Sequence, residues 1–192
     1  MVRDRLRMIL RPLEKSSIQS YLGTGVHTLG LLGWILEQVG RADVYVSTYS
    51  TSEDFLSGFL NLRKRKLVGH AVLLADVKAS RKTAKLETLM SECFDEVYLG
   101  ENHSKVVLVQ SEAGKTVLVV TSQNQTYGGR AECTVVSTSP EMYYDIYCGF
   151  DKLLNNSVKL NGIHGLTVER DRTIGEGINS CLGDFRPFGL EE

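Results

Sequence analysis

The chain has 192 residues, 42% of them hydrophobic and 23% charged, with a formal net charge of −1. That is enough chain for one globular domain with appended terminal elements, and the near-neutral balance excludes a global basic field, so a polyanion would have to be held by a local patch. No run approaches the roughly 20 apolar residues of a membrane span; residues 26–39 come closest, and Thr28, Gly30, Gly33, Glu37 and Gln38 interrupt them.

In chain order, the first 20 residues place Leu6, Ile9, Leu10 and Leu13 at helical spacing, with Pro12 set to kink or end the helix. The basic start, Arg3 to Arg11, is followed by Pro12, Glu14 and Lys15 where a secretory signal would need an apolar core, so the expected location is cytoplasmic. Tyr21 to Gly25 reads as a glycine-containing turn. Leu29, Leu32, Leu36 and Val39 then repeat at three- and four-residue steps, predicting a buried helix that Gly40 stops. Asp43 to Tyr49 alternates as a strand and empties into Ser50-Thr51-Ser52. Ser52 with Glu53 and Asp54 is a helix start, a capping hydroxyl followed by acids at the positive end. Val68 to Ala75 is continuously apolar, the mark of a strand buried on both faces. Ala84, Leu86, Leu89, Met90 and Cys93 suggest another helix, and Glu96 to Gly100 a short strand. A hairpin, a strand over 132–138 and a helix from Pro140 to about Asn155 complete the order, which indicates an α/β protein with a mixed sheet.

Cys93, Cys133, Cys148 and Cys181 form no CxxC pair and read as reduced thiols. His27, His70, His103 and His164 form no ligand set, so neither a metal nor another cofactor is expected.

The chemistry concentrates in the hairpin. Alternate strand residues share a face, so His103 and Lys105 point one way, and Ser122 and Asn124 likewise. If Ala113-Gly114 are the centre of a two-residue turn, His103 falls opposite Asn124, Lys105 opposite Ser122, and Glu112 opposite Lys115. A histidine, an ammonium, a hydroxyl and an amide in one patch suit a phosphate group.

His103-x-Lys105 leading into an apolar strand, then Ser122-x-Asn124 at the end of the next, resembles the signature of the phospholipase D superfamily. Gly129-Arg130-Ala131-Glu132 resembles the downstream segment where many members place a glutamate beside the catalytic histidine. The family's Gly-Ser is here Thr121-Ser122, and its aspartate position is Gln110. The likeness is tight over 103–132 and extends, as element order, over about 43–155. It implies a single phospholipase D-like α/β domain over 26–155, a mixed sheet flanked by helices with its active residues at strand ends. An N-terminal helix and extension (1–25) would precede it, and an irregular tail (156–192) would pack on the domain or on a dimer partner.

The implied activity is that of a metal-independent phosphodiesterase. His103 would attack phosphorus, and a phosphohistidine intermediate would divide the cleavage into two displacements. Lys105 and Asn124 would hold the non-bridging oxygens, Glu132 would orient the imidazole, and Ser122 would donate to the phosphate or its neighbours. A second group must protonate the leaving oxygen, and neither His70 nor His164 stands in a second His-x-Lys. In the resembling family, single-motif members meet this need as homodimers, so an isologous dimer is expected. Lys78, Arg81 and Lys82 follow a buried strand, where α/β proteins put ligand-facing loops, and Tyr127 and Arg130 follow the motif; these are candidate nucleic-acid contacts, DNA ahead of RNA. Their plainer reading is solvated helix ends and a loop shaped by Gly128-Gly129. Two alternatives stand beside the nuclease: a catalytically degenerate module that binds nucleic acid or a protein, suggested by Gln110, and a phospholipid hydrolase or phosphatidyl transferase, which would need an exposed apolar rim that the sequence does not display.

Overall fold

The computed structural model describes residues 2–79, 86–126 and 129–160. Its strands are β1 (Ile18–Gly23), β2 (Ala42–Thr48), β3 (Val68–Asp76), β4 (Glu96–Gly100), β5 (Val106–Ser111), β6 (Thr116–Thr121), β7 (Glu132–Ser137) and β8 (Val158–Lys159). They form one mixed sheet in the order β1-β7-β6-β5-β2-β3-β4-β8. β2, β3 and β4 run parallel, and every other neighbouring pair is antiparallel. The helices are α1 (Val2–Ile9), α2 (Thr28–Val39), α3 (Glu53–Lys64), α4 (Glu87–Cys93) and α5 (Pro140–Asn155). None is long and apolar enough to cross a membrane.

The helix boundaries follow from the residues that satisfy their ends. Ser52 Oγ accepts from Phe55 N (3.3 Å) at the start of α3, and Ser139 Oγ does the same for Met142 N (3.3 Å) ahead of Pro140 in α5. Gly40 closes α2 at φ +82°, its N–H returning to Leu36 O at 2.9 Å. One apolar layer, centred on Leu32, Ile35, Leu56, Phe59 and Leu73, lies between the sheet and α1–α4. A second, of Leu74, Leu108, Leu118, Tyr143 and Phe150, lies between the opposite face and α5. Cys93 is buried in the first layer, and that burial pushes its thiol up to about 11, as befits an inert core sulfur.

Three expectations need correction. Residues 18–23 are a strand, not the end of a helix and a turn, and they pair with β7 within the sheet. Their two faces are both partly exposed, so no clean alternation marked them in the sequence. The expected tail begins as β8, which pairs with β4 and ties Lys159 Nζ to Glu96 Oε2 at 2.6 Å; residues 161–192 lie outside the described residues. Finally, the β5–β6 turn has three residues, Glu112 to Gly114, with Gly114 at φ +79° and Ser111 N–H donating to Lys115 O (2.8 Å). The pairing is therefore Gln110 with Thr116 and Val106 with Val120, one residue off the expected register. Glu112 meets Arg41 (3.0 Å) rather than Lys115.

Strand directions then decide where the chemistry lies. The C-terminal ends of β2, β3, β4 and β6 and the N-terminal ends of β5 and β7 all fall on one edge of the sheet. The β5–β6 turn lies at the other. On the α5 side near the first edge, cover is incomplete: Leu22 is 76% exposed and Val120 39%. Cross-strand pairing puts both on one face, through Leu22 with Cys133 and Val135 with Val120.

Candidate active site

A buried polar network at this edge fixes the segment that carries His103. Asn102 is 5% exposed; its Nδ2 donates to Ser47 Oγ (2.9 Å) and Thr48 O (3.1 Å) at the end of β2, and to Leu74 O (3.3 Å) in β3. Its Oδ1 accepts from Ser104 N (3.0 Å) and Ser104 Oγ (2.7 Å), and the Ser104 and Ser47 hydroxyls meet at 2.5 Å. Asp76, equally buried at the end of β3, accepts from Asn102 N (2.8 Å) and Lys78 N (2.7 Å). Residues 102 and 104 are thus pinned on both sides of an exposed His103. Because buried polar groups left unpaired are costly, this arrangement is strongly specified.

Lys105 returns to the same segment, its Nζ donating to His103 O (2.7 Å) and standing 3.4 Å from His103 Nδ1. Burial holds the Lys105 ammonium below the usual lysine range, while the nearby Glu132 carboxylate pulls the other way. Glu132 itself accepts a hydrogen bond from Ser122 Oγ. Ser122 is held by β7 on two further sides, Cys133 N donating to its Oγ (3.0 Å) and its own N–H donating to Cys133 O (3.0 Å). Two hydrogen-bonded pairs, His103 with Lys105 and Ser122 with Glu132, therefore lie at the open end of the hairpin, near enough for the Glu132 charge to act on Lys105, despite the shifted register.

The other candidates divide. No hydrogen bond among the described residues joins Asn124 to His103, Lys105, Ser122 or Glu132. Its Oδ1 is buried without a partner, and the residue lines a small hollow with Thr28, Phe55 and Gln125. Glu132 likewise has no hydrogen bond to His103 among the described residues; it accepts from Ser122, and its charge raises the Lys105 ammonium against the effect of burial. Lys78 is exposed directly after β3, and Arg130 is exposed in the loop before β7. Arg81, Lys82 and Tyr127 lie outside the described residues.

Two features escaped the sequence reading. Tyr49, just beyond β2, sets its ring centroid 5.3 Å from that of His103 at a 55° tilt. The Asn102 network was equally hidden, since only the parallel pairing of β2 with β3 brings Ser47 and Asp76 to residue 102. Gln110, by contrast, is remote. It pairs with Asp43 and Thr116 toward the turn, five residues from Lys105, or about 16 Å along an extended strand.

Among solved structures, the chain is similar to a phospholipase D family member, Nuc, from Salmonella typhimurium: TM-score 0.57 and 14% identity over 76% of this chain and 99% of that one. NucT from Helicobacter pylori gives a TM-score of 0.56 and 14% identity over 74% of this chain and 99% of that one. Phosphatidylserine synthase from Haemophilus influenzae gives 0.53 and 12% over 74% of this chain and 40% of that one. No family model matches the chain, and no curated protein matches it in sequence. These structural likenesses, with the mixed sheet between helices, show that the chain has a phospholipase D-like α/β fold.

Proposed function

We propose that this chain is a phosphodiesterase that cleaves through a phosphohistidine on His103, without a metal, and that it processes nucleic acid as a homodimer. The observation that supports this reading is the hydrogen-bonded pair of His103 and Lys105 on the same sheet edge as the hydrogen-bonded pair of Ser122 and Glu132. Imidazole is nucleophilic at neutral pH, and an ammonium 3.4 Å from it can neutralise a non-bridging oxygen as charge builds on phosphorus. Ser122, donating to Glu132, would hold that carboxylate at the site; Asn124 would supply a further contact to the phosphate once its side chain turns toward the bound group. Lys78 and Arg130 would meet the flanking backbone, with Arg81, Lys82 and Tyr127 as further contacts. Tyr49 would limit how the His103 ring rotates, and offers a surface on which a base could stack.

In-line displacement needs a proton donor on the far side of phosphorus from the nucleophile. We place a second copy's His103 there, across a two-fold axis. The uncovered strip holding Leu22 and Val120, next to Ser122 and Cys133, supports this by offering apolar surface for a partner at the site's margin. The same strip supports a second reading, a phospholipid phosphodiesterase whose substrate lays its acyl chains there.

The test is turnover of bis(p-nitrophenyl) phosphate, single- and double-stranded DNA, RNA and phosphatidylcholine vesicles in excess EDTA, with mass by light scattering. EDTA-resistant cleavage of DNA by a dimer is the expected result. Cleavage of vesicles alone would transfer the reading to lipid. Tight, salt-sensitive DNA binding with no turnover would make this a binding module. Gln110→Asp gives a companion prediction. The new carboxylate would face Asp43 across β2–β5, so stability should fall by about 0.5–1 kcal/mol, while turnover stays within about twofold because the position is far from His103.

A further inference from the structure

The Asn102 network holds the arm of the hairpin that carries His103. The other arm, which carries Ser122 and Asn124, is held differently. Along it burial alternates: Thr121, Gln123 and Gln125 are buried, whereas Ser122 is exposed and Asn124 half-buried. β6 ends at Thr121, and Ser122 is still fastened to β7 through Cys133, but past Ser122 the arm leaves the β6–β7 pairing.

Gln123 takes over there. Its Oε1 accepts from Thr28 N (2.8 Å) and Thr28 Oγ1 (2.9 Å) at the first residue of α2, 95 positions away in sequence. Its own N–H donates to Thr121 Oγ1 (3.2 Å). The first N–H groups of a helix have no intrahelical partner, and His27, the N-cap residue of α2, makes no side-chain cap bond. Gln123 supplies the missing acceptor from the site's side, and Thr28 is buried with it. Two residues on, the Gln125 N–H is shared between Ser50 O and Thr48 Oγ1 at 3.2 Å each. Asn124 therefore sits between two inward anchors, as His103 sits between Asn102 and Ser104. Its own Oδ1 has no hydrogen-bond partner, so its backbone is fixed while its amide stays uncommitted.

We infer that Gln123 is the positioning residue for Asn124: by fastening the second arm to the start of α2, it sets where the Asn124 amide meets a phosphate bound at His103. It rests on the phosphodiesterase reading and gives Gln123 no contact with substrate. An apolar side chain of the same length would leave two buried donors on Thr28 without their acceptor, and the arm would move to admit water to them. Ser122 keeps its bonds to Cys133, so the displacement falls on Asn124.

The experiment measures kcat and KM on bis(p-nitrophenyl) phosphate, and calorimetric affinity for orthovanadate, a mimic of five-coordinate phosphorus, at a temperature where circular dichroism shows every variant folded. Gln123→Met should lower kcat by about ten- to thirtyfold with KM within about threefold, and should weaken vanadate binding by a similar factor. Gln123→Glu keeps an acceptor at the positive end of α2 and should recover wild-type values to within about threefold. In the Asn124→Ala background, Gln123→Met should change neither quantity by more than about twofold, because the group it positions is gone. Full activity in Gln123→Met, equal losses in Gln123→Met and Gln123→Glu, or an undiminished loss in the Asn124→Ala background would each overturn the inference and leave the phosphodiesterase reading intact. A wild type without turnover removes that reading, and vanadate then decides alone. The same pattern in affinity keeps Gln123 as the positioning residue of an anion site; no binding, or equal affinity in wild type and Gln123→Met, overturns this inference as well.

Discussion

Replacing His103 by alanine should lower EDTA-resistant phosphodiester turnover by at least about 10³-fold while moving the melting temperature by no more than about 2 °C. The two halves of this expectation have different sources. His103 is exposed, and its anchors to the fold run through the flanking residues: Asn102 and Ser104 hold the backbone, and Lys105 Nζ binds the His103 carbonyl, which alanine keeps. The ring's own contacts, with Tyr49 and Lys105 Nζ, lie outside the two apolar layers. The proposed reaction depends on the ring twice, as nucleophile in one copy and as proton donor in the other. Mixing wild type with an equal amount of the variant, followed by exchange of subunits, therefore separates mechanisms. If both copies' histidines serve one phosphate, a mixed dimer is inactive, and equal mixing should leave about a quarter of the dimers active. Independent sites would retain about half. Labelling of wild type with a radioactive phosphodiester, quenched in alkaline denaturant, should trap a base-stable, acid-labile adduct, and its absence alongside full activity would remove the covalent intermediate.

The sequence carried the site's residue types better than its geometry. His103-x-Lys105 and Ser122-x-Asn124 were legible because local spacing survives any small error in pairing. The register was not, since a two-residue and a three-residue turn both accommodate Glu112-Ala113-Gly114-Lys115, and only Gly114 at positive φ decides between them. That single slip removed Asn124 from its expected place opposite His103, and it gave Glu112 to Arg41. Buried elements were similarly readable: residues 71–75 are apolar without a break and buried on both faces. β1 was hidden because its alternation is not hydrophobic-in and polar-out: Ile18 and Leu22 lie on the exposed face, while Gln19 and Tyr21 lie on the half-buried one. Gln110 looked like a defect in the motif only while distance along the sequence stood in for distance in space. Ser47, Asp76 and Asn102 are separated by more than 20 residues at each step and meet only through parallel crossovers, which no local pattern reports.

That hidden network carries the second large effect. Asn102→Ala should destabilise the protein by about 2–4 kcal/mol, a fall in melting temperature of roughly 5–12 °C for a domain of this size. The asparagine is the one group that donates to both β2 and β3 and accepts from Ser104. Alanine leaves Ser104 N and the carbonyls of Thr48 and Leu74 to find other partners in a region that is 5% exposed at residue 102. The effect on chemistry follows from position rather than contact. Asn102 touches no substrate in the proposed mechanism; it sets where residue 103 begins, and a displacement near 1 Å at a nucleophile costs up to about 10²-fold. The expected pattern is therefore a kcat reduced by at least about tenfold at temperatures where the variant is fully folded, with KM changed by less than about threefold. Asn102→Asp sharpens the test. It is nearly isosteric, but it surrenders the donors to Thr48 and Leu74 and adds a carboxylate close to Asp76, so its loss of stability should exceed that of alanine. Equal kcat in wild type and Asn102→Ala, with only the melting temperature lowered, would show that the network supports the sheet edge without aligning His103.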